Sequence, residues 1–241
     1  MSERDDCPGF IDLGAFLDTV PEALREAGSD PFRQNRALLA LRGGPVEVGA
    51  IRLPAGSGET RIEGADEFVL VRAGSLRVET PAGAVCLGAG ESLLAERGAI
   101  LRWACDAPAD LLFMRYLNAA EGRARVTAID SAGELAPSGA PAADLLVGPT
   151  PRCRNHTAWL SDDGEFMAGV WDSTPYHRRA MPYRHFELMH LLAGSVTFVD
   201  GAGRSGTFRK GDSFLIEQHA QCSWESREHV AKIFAIYRPA A

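Results

Sequence analysis

The sequence predicts an all-β protein made of two tandem copies of one barrel domain. Three observations lead to this prediction: the chain repeats itself at a spacing of about 120 residues, its apolar runs are short and broken by turn residues, and helix-forming patterns are sparse. With 241 residues, of which 46% are hydrophobic and 24% charged, the chain is long enough to bury a proper core in one or two domains.

The repeat is visible when the chain is aligned with itself. PFRQNRALLALRGGPVEVGAIR, from Pro31, falls on PRCRNHTAWLSDDGEFMAGVWD, from Pro151. ADEFVLVRAGSLRV falls on HFELMHLLAGSVTF, which aligns Glu67 with Glu187. After one inserted residue, GESLLAERGAILRW falls on GDSFLIEQHAQCSW, which aligns a tryptophan in each copy. A register kept over about seventy residues with a single slip in a turn indicates two copies of one domain.

Each copy has the pattern of a sandwich or barrel, because runs rich in Val, Leu, Ile and Phe alternate with Gly, Pro and Asp turns at a spacing of about ten residues. One helix is predicted near residues 20–27, where Thr19 and Glu22 form a capping-box pattern and Gly28 is a stop signal. The Ala-, Gly- and Pro-rich stretch 131–143 is expected to be a loop or arm.

The chain is therefore divided into four segments, with the boundary between the copies near residues 118–128. The expected segments are an N-terminal arm with a short helix (1–30), a first barrel that is mainly structural (31–118), a linker with the arm of the second repeat (119–150), and a second barrel with the candidate site (151–241).

The net charge limits the kinds of partner that the protein can bind. A formal charge of −7 and a pI near 5.4 argue against nucleic acid or an anionic membrane surface. The N-terminus lacks the layout of a signal peptide, and no apolar run approaches the roughly 20 residues of a membrane helix. Five scattered cysteines without a CxxC pair are typical of a reduced protein. We therefore expect a cytoplasmic protein with a small-molecule ligand, and strand pairing between chains would allow a homodimer.

One glycine motif needs a separate interpretation. Gly201, Gly203 and Gly206 have the GxGxxG spacing of a dinucleotide-binding loop. That loop requires a helix after the last glycine, but here the strand patterns SVTFVD and TFRKGDSFLIE lie on both sides. The motif therefore predicts a hairpin turn.

Two motifs in each copy carry a family resemblance. A glutamate is followed by six residues and a glycine at 67–74 and at 187–194, and a Gly-(x)5-Glu-x-(Gly/His)-x4-Trp element runs over 90–103 and 211–224. Together they resemble the two cupin motifs, and the end of the second copy resembles the cupin subfamily that includes ureidoglycine aminohydrolase. The resemblance covers about residues 31–240. It implies a bicupin: two tandem double-stranded β-helix (jelly-roll) barrels with a short N-terminal helix.

The departures from the cupin pattern concern metal binding. Metal-binding cupins usually carry His-x-His shortly before the first-motif glutamate and a histidine in the second motif. The second copy instead has AMPY at 180–183 and Cys222, while the first copy has TRIE at 60–63 and Leu101. The usual centre of three histidines and one glutamate is absent from both copies, and we expect no metal in the first. Because this fold hosts isomerases, dioxygenases, hydrolases and storage proteins, the resemblance leaves open whether the protein is an enzyme.

Comparison of the copies places any ligand site in the second barrel. Polar side chains there stand where the first copy has other residues: His177, Tyr183, His185, Cys222 and Lys232 replace Ser57, Glu63, Ala65, Leu101 and about Leu111. Glu187 is the best catalytic candidate. The expected ligand-binding residues are Glu187, His185, Tyr183, His177, Arg178, Arg179, Trp224 and Lys232.

Strand geometry sorts the stretch HFELMH. Side chains alternate faces along a strand, so His185 and Glu187 share one face and His190 lies on the other. The cupin resemblance turns the glutamate face into the barrel, toward Cys222 and Trp224. His190 is thereby excluded from a site built on His185 and Glu187.

A buried Glu187 needs a partner, because an unpaired charge in the interior is costly or becomes protonated. Three partners are open: a divalent transition metal (Zn, Fe or Mn) shared with His185 and Cys222, the ammonium of Lys232, or the donors of a ligand. Cys222 has the alternative role of a small buried hydrophobe. Three functions follow: binding of a small polar metabolite, a metal-dependent enzyme (a hydrolase resembling ureidoglycine aminohydrolase, or an oxygenase), or a structural scaffold.

Overall fold

The structure is a computed structural model that describes residues 8–80, 83–120 and 122–240. The strands are β1 (Phe10–Asp12), β2 (Arg36–Leu38), β3 (Val46–Leu53), β4 (Gly56–Arg61), β5 (Asp66–Ala73), β6 (Leu76–Thr80), β7 (Gly83–Leu87), β8 (Ser92–Ala95), β9 (Ile100–Cys105), β10 (Ala109–Tyr116), β11 (Val126–Ala128), β12 (Ala136–Ser138), β13 (Cys153–Leu160), β14 (Phe166–Ser173), β15 (Tyr176–Pro182), β16 (Phe186–Ala193), β17 (Ser195–Val199), β18 (Ser205–Arg209), β19 (Ser213–Ile216), β20 (Gln221–Ser226) and β21 (Val230–Tyr237). The helices are α1 (Leu13–Thr19), α2 (Pro31–Gln34) and the 3-10 turns Glu22–Leu24 and Ala143–Leu145.

The chain folds into two compact units. The N-terminal unit is Ala15–Ile129, and the C-terminal unit is Asp130–Ala241 together with the segment that ends at Gly14. The N-terminal unit contains the sheets β11-β8-β5-β10-β3-β2 and β4-β9-β6-β7, and the C-terminal unit contains β1-β19-β16-β21-β14-β13-β12 and β15-β20-β17-β18. Each unit is a two-sheet antiparallel barrel, which confirms the prediction of an all-β cupin fold.

The core of the N-terminal unit is packed with apolar side chains from both sheets. Phe32, Leu53, Val69, Leu101 and Trp103 are all buried in it. Because these side chains fill the interior, this barrel is held together by hydrophobic burial.

The core of the C-terminal unit has the same layout. Met189 and Leu191 of β16 pack with Phe198, Cys222 and Trp224. Cys222 and Trp224 therefore point into the barrel, as the cupin resemblance implied.

The glycine that ends the first motif has a structural reason. Gly74 and Gly194 have φ angles of +78° and +73°, a region that favours glycine. A Cβ on Gly194 would also lie 2.1 Å from the carbonyl oxygen of His229. The turn after each glutamate strand thus admits no side chain.

The GxGxxG stretch is a hairpin turn, as predicted. β17 and β18 pair from Ser195↔Arg209 to Val199↔Ser205, and the motif lies at their junction. The Asp200 carboxylate accepts the backbone N–H groups of Ala202 and Arg204. These side-chain contacts tie the turn to its own backbone.

The prediction of a helix at residues 20–27 is wrong. The N-terminal helix is α1, and only the short 3-10 turn Glu22–Leu24 lies in the predicted range. The Thr19 hydroxyl donates to the Phe16 carbonyl, and so it closes α1 instead of capping a following helix. The stretch 131–143, expected as a loop, contributes the short strand β12, which pairs with β13.

The repeat also differs between the units at its first residues. Asp30 caps α2 by accepting the Arg33 N–H, and the helix places Phe32 in the core. No helix forms at the aligned residues 151–154, where β13 begins at Cys153.

This helix shifts the strand register by one residue. Arg36 lies opposite Ile51 in the N-terminal unit, whereas Asn155 lies opposite the equivalent Trp171. The sequence alignment, which placed Asn155 on Asn35, is therefore displaced by one residue along this strand, because the helical turn accommodates an extra residue.

No helix in the described ranges is long and apolar enough to cross a membrane. Within the same ranges Cys86, Cys105, Cys153 and Cys222 form no disulfide, and Cys7 lies outside them.

Candidate functional site

Five polar residues meet inside the C-terminal barrel, and we call them the interior polar cluster: Arg178, Tyr183, His185, Glu187 and Lys232. Lys232 Nζ donates to Glu187 Oε1 at 2.7 Å, and His185 Nε2 lies 3.2 Å from Glu187 Oε2. All five side chains are buried. Of the three partners open to Glu187, the structure therefore provides the Lys232 ammonium.

The charge of Glu187 follows from its partners. Burial, the largest single effect, raises its pKa, but Lys232 and His185 together outweigh burial and lower the pKa to about 2. Glu187 is thus a carboxylate at neutral pH. A general base works best with a pKa near the operating pH, so this carboxylate is poorly matched to proton abstraction.

Aromatic rings enclose Lys232. Its Nζ lies 4.8 Å from the ring centroid of Trp171 and 5.3 Å from that of Trp224. Tyr176 stacks on Trp224 at 5.5 Å, and the sulfur of Met189 lies 3.1 Å from Nζ. These cation–π contacts replace part of the hydration that the ammonium loses.

Arg178 is the member of the cluster with an unmet hydrogen-bonding capacity. It is 3% exposed, its Nη2 donates to the Tyr183 hydroxyl at 3.0 Å, and its guanidinium lies 5.3 Å from the Tyr183 ring centroid. Its Nη1 is buried without a hydrogen-bond partner in the described part of the chain. Buried donors are almost always satisfied, so this one requires an explanation.

Tyr183 stays protonated beside Arg178. Burial raises the pKa of the Tyr183 hydroxyl, and the guanidinium only partly opposes that effect. The phenol accepts from Arg178 and keeps its own proton, so it can donate a hydrogen bond at the same point.

Three of the histidine and arginine residues singled out in the sequence lie outside the cluster. His177 and Arg179 are on the exposed face of β15, and Arg179 Nη1 donates to the Asp144 carbonyl. His190 faces the other side of β16, where its Nδ1 lies 2.9 Å from the Ser213 hydroxyl. His190 therefore lies on the opposite face of β16 from Glu187, as strand alternation predicts.

The residues do not fit the divalent metal suggested by the cupin resemblance. No group of three or more His, Cys, Asp or Glu residues within 8–80, 83–120 and 122–240 could hold a metal ion. Both Glu187 oxygens are already engaged by Lys232 and His185, and Cys222 belongs to the apolar core. No chemical step is therefore assigned to a metal at His185, Glu187 and Cys222.

The N-terminal barrel keeps the glutamate of this cluster, Glu67, but has small or apolar residues in place of Arg178, His185 and Lys232. Arg178 lies opposite Trp224, and its counterpart Gly58 lies opposite Trp103. A Cβ on Gly58 would be 3.0 Å from the Trp103 ring, so a side chain there would require this ring to shift. The sequence comparison aligned Ala65 with His185 and Leu111 with Lys232. Strand pairing supports the second of these alignments, because Leu111 lies opposite Val71 and Lys232 lies opposite Leu191, the residue aligned with Val71.

The sequence reading missed a cavity of about 590 Å³ in the C-terminal unit. We call it the strand-end cavity, because it lies where β13 begins and β14 ends. Its lining includes Ser138, Arg152, Cys153, Arg154, Asp172, Ser173 and His229. A signal existed in the repeat: Ser173 aligns with Leu53, so a core side chain of the first copy is replaced by a polar one in the second.

Comparison with known proteins supports the fold and says little about function. The family model for the EutQ-like cupin domain matches residues 160–234. The chain belongs to the cupin superfamily. No functionally curated protein matches it significantly in sequence.

Solved structures resemble the whole chain. A protein of the DUF861 family from Pseudomonas syringae pv. tomato is 27% identical, with a TM-score of 0.83 over 95% of this chain and 99% of that one. A cupin 2 conserved barrel domain protein from Leptotrichia buccalis has a TM-score of 0.62 at 9% identity, covering 98% and 99%. Protein Ylba from E. coli, also of DUF861, has a TM-score of 0.56 at 12% identity, covering 86% and 84%. The last two are similar in fold alone.

Proposed function

We propose that the C-terminal barrel binds a small polar metabolite at the interior polar cluster, and that a carboxylate or similar acceptor of this metabolite is held by Arg178. The observation that supports the proposal is the buried Nη1 of Arg178, which has no hydrogen-bond partner among the described residues.

The energetic argument concerns a charged donor left unsatisfied. Leaving a buried donor without an acceptor costs about 1–3 kcal/mol, and more when the group is charged. A ligand carboxylate would remove this penalty, because a guanidinium presents parallel donors to two oxygens. The Tyr183 hydroxyl, fixed 3.0 Å from Nη2, adds a donor on the same side of the group.

The remaining charges orient the ligand. Glu187 and Lys232 form a closed ion pair and therefore act as a fixed dipole. The ligand's acceptor groups are drawn toward Arg178. The cluster is thus suited to recognition. No observation favours the alternative of a metal-dependent hydrolase or oxygenase, because the required ligands are not brought together.

The test is a thermal-shift screen of small mono- and dicarboxylates, with the matching amides as neutral controls. We expect carboxylates to raise the Tm of the wild-type protein and the amides to have little effect. Arg178→Met should abolish the shift, and isothermal titration should show binding weaker by about tenfold or more.

The matched control is Arg179→Met. Arg179 is adjacent in sequence but lies on the exposed face of β15, where it contacts the Asp144 carbonyl. This variant should bind like the wild type. A carboxylate shift of full size in Arg178→Met, or its loss in Arg179→Met, would place the ligand elsewhere.

A further inference from the structure

We propose that the strand-end cavity is a second ligand site in the C-terminal unit, one that binds a small oxyanion, either a carboxylate or a phosphate group. It goes beyond the metabolite site at the interior polar cluster, because Arg178, Glu187 and Lys232 do not line this cavity.

The size of the cavity suits a small molecule. Its volume of about 590 Å³ falls within the range of roughly 300–1,000 Å³ seen for ligand sites. It is bounded by the ends of β12, β13 and β14 and by His229. These edges belong to paired strands, and so the walls are held by backbone hydrogen bonds.

Basic side chains are organised at the cavity by one buried carboxylate. Asp172, 4% exposed, accepts from Arg154 through both Nε and Nη2, and His229 Nε2 lies 3.0 Å from Oδ2. Asp172 thus fixes both basic groups. The rest of the Arg154 guanidinium and of the His229 ring remains about half exposed, at 55% and 52%, and is therefore accessible to a ligand. Arg152 adds a third basic side chain to the lining.

The inner wall carries hydroxyl groups that nothing in the described chain satisfies. Ser173 is 1% exposed, and its Oγ is buried without a hydrogen-bond partner. The Oγ of Ser138 is likewise buried without a hydrogen-bond partner among the described residues. The two serines lie on either side of Cys153 in one row across the strands, since Ser138 and Ser173 are both opposite Cys153. Two hydroxyl donors beside the Arg154 guanidinium form a surface complementary to oxygen anions.

Cys153 does not oppose an anion. Burial raises the pKa of its thiol, and the Asp172 charge raises it further, so the group stays neutral. The thiol between the two serines therefore adds no negative charge to the cavity.

The N-terminal unit shows that the cavity is not a general consequence of the fold. Leu53, the counterpart of Ser173, is fully buried in the core there, together with Phe32 of α2. Arg52 occupies the position of Asp172, and it pairs with Asp110, which also binds Arg25. The same end of that barrel is therefore filled by apolar side chains and closed by ion pairs, whereas the C-terminal unit presents a polar cavity.

The test is isothermal titration with two probes, inorganic phosphate and acetate, in a buffer of low chloride. We expect millimolar or tighter binding of at least one probe to the wild-type protein. A preference for phosphate identifies a phosphate-bearing ligand, and a preference for acetate identifies a carboxylate. Arg154→Met should weaken the preferred probe by about tenfold or more.

Arg204→Met is the matched control. Arg204 also binds a buried aspartate, Asp200, through Nε at 2.7 Å, and it is similarly half-exposed in the same unit. It does not line the cavity. Binding to this variant should equal that of the wild type, which separates the cavity from a general effect of losing a surface arginine.

Ser173→Ala distinguishes a ligand-binding hydroxyl from a structural one, because the first affects probe affinity and the second affects Tm. We expect it to weaken the probe several-fold without lowering Tm, because it removes a ligand donor that has no protein partner. Arg178→Met should leave this binding unchanged, so failure here is distinguishable from failure at the interior polar cluster. Absence of binding for both probes, or full affinity in Arg154→Met and Ser173→Ala, would overturn the proposal.

Discussion

Two glutamates at the same point of the repeat have different partners in the two barrels. Glu67 of the N-terminal unit accepts from Arg36 at 2.7 and 3.2 Å, and Arg115 lies 3.3 Å away. Glu187 of the C-terminal unit is held by Lys232 and His185 inside the barrel. Both carboxylates are buried at the start of the equivalent strands.

The difference shows which part of the cupin motif is architectural. Because the glutamate is ion-paired in both barrels, its presence alone does not mark a site. The distinguishing feature is the set of polar side chains, Arg178, His185 and Lys232, that stands where the other copy has small or apolar residues. Function in this chain is therefore to be sought in the partners of the glutamate.

The largest effect is expected when the C-terminal barrel is given the residue of the N-terminal one. Lys232→Leu copies Leu111 and leaves Glu187 buried without its ammonium, which should cost about 3–5 kcal/mol of unfolding free energy. Urea unfolding followed by tryptophan fluorescence measures it. The C-terminal unit contains Trp159, Trp171 and Trp224, and the N-terminal unit contains Trp103.

The double variant Glu187→Leu/Lys232→Leu is the control for this change. Replacing a whole buried ion pair with apolar groups is often neutral, so most of the lost stability should return. A double variant as unstable as Lys232→Leu would mean that packing, and not the stranded carboxylate, accounts for the loss.

The pH dependence of stability should distinguish the wild type from Glu187→Gln. The pKa of Glu187 falls from 4.5 to about 2 in the folded protein. The ionised carboxylate therefore stabilises the fold above about pH 4.5, and this contribution of about 3 kcal/mol disappears as the pH falls toward 2. Unfolding free energies of both proteins between pH 7 and pH 3 should converge on acidification. A constant difference over that range would contradict the ion pair.

Glu67→Gln should have a smaller effect than the change at Glu187. The side chains of Arg36 and Arg115 are 15% and 20% exposed, so water can partly solvate them when the carboxylate is lost. We expect a cost of about 1–3 kcal/mol in the N-terminal unit, followed by the fluorescence of Trp103. Ligand shifts of the C-terminal unit should be unchanged, and a loss equal to that at Glu187 would remove the distinction between the barrels.

The smallest effect concerns the start of the repeat. Asp30→Ala removes the cap of α2 and the acceptor of the Thr60 hydroxyl, and should cost about 1 kcal/mol. Thr150→Ala, at the aligned position where no helix begins, should be within experimental error of the wild type in the same denaturation measurement. Equal losses in both variants would show that the cap is not responsible.

Most of the correct predictions from the sequence came from the internal repeat. It predicted two barrels, and strand alternation correctly separated His190 from His185 and Glu187. The same alternation would have separated Arg178 from His177 and Arg179, because neighbouring residues of β15 face opposite sides.

Other features depend on the reach of long side chains. Whether Glu187 meets Lys232 or an ion is decided by a flexible side chain from β21, whose direction no spacing encodes. The end of α1 likewise depends on the carbonyl that the Thr19 hydroxyl contacts. The volume left where Ser173 replaces Leu53 is visible only when the surrounding strands are in place.

The positive charge that pairs with Glu187 inside the barrel comes from the side chain of Lys232. The cation is covalently part of the chain, and so it is present from translation onward and needs no loading from the surroundings. Dilution or a chelator cannot extract it. The positive charge beside Glu187 is therefore encoded in the sequence itself, in an ion pair whose Nζ–Oε1 distance is 2.7 Å.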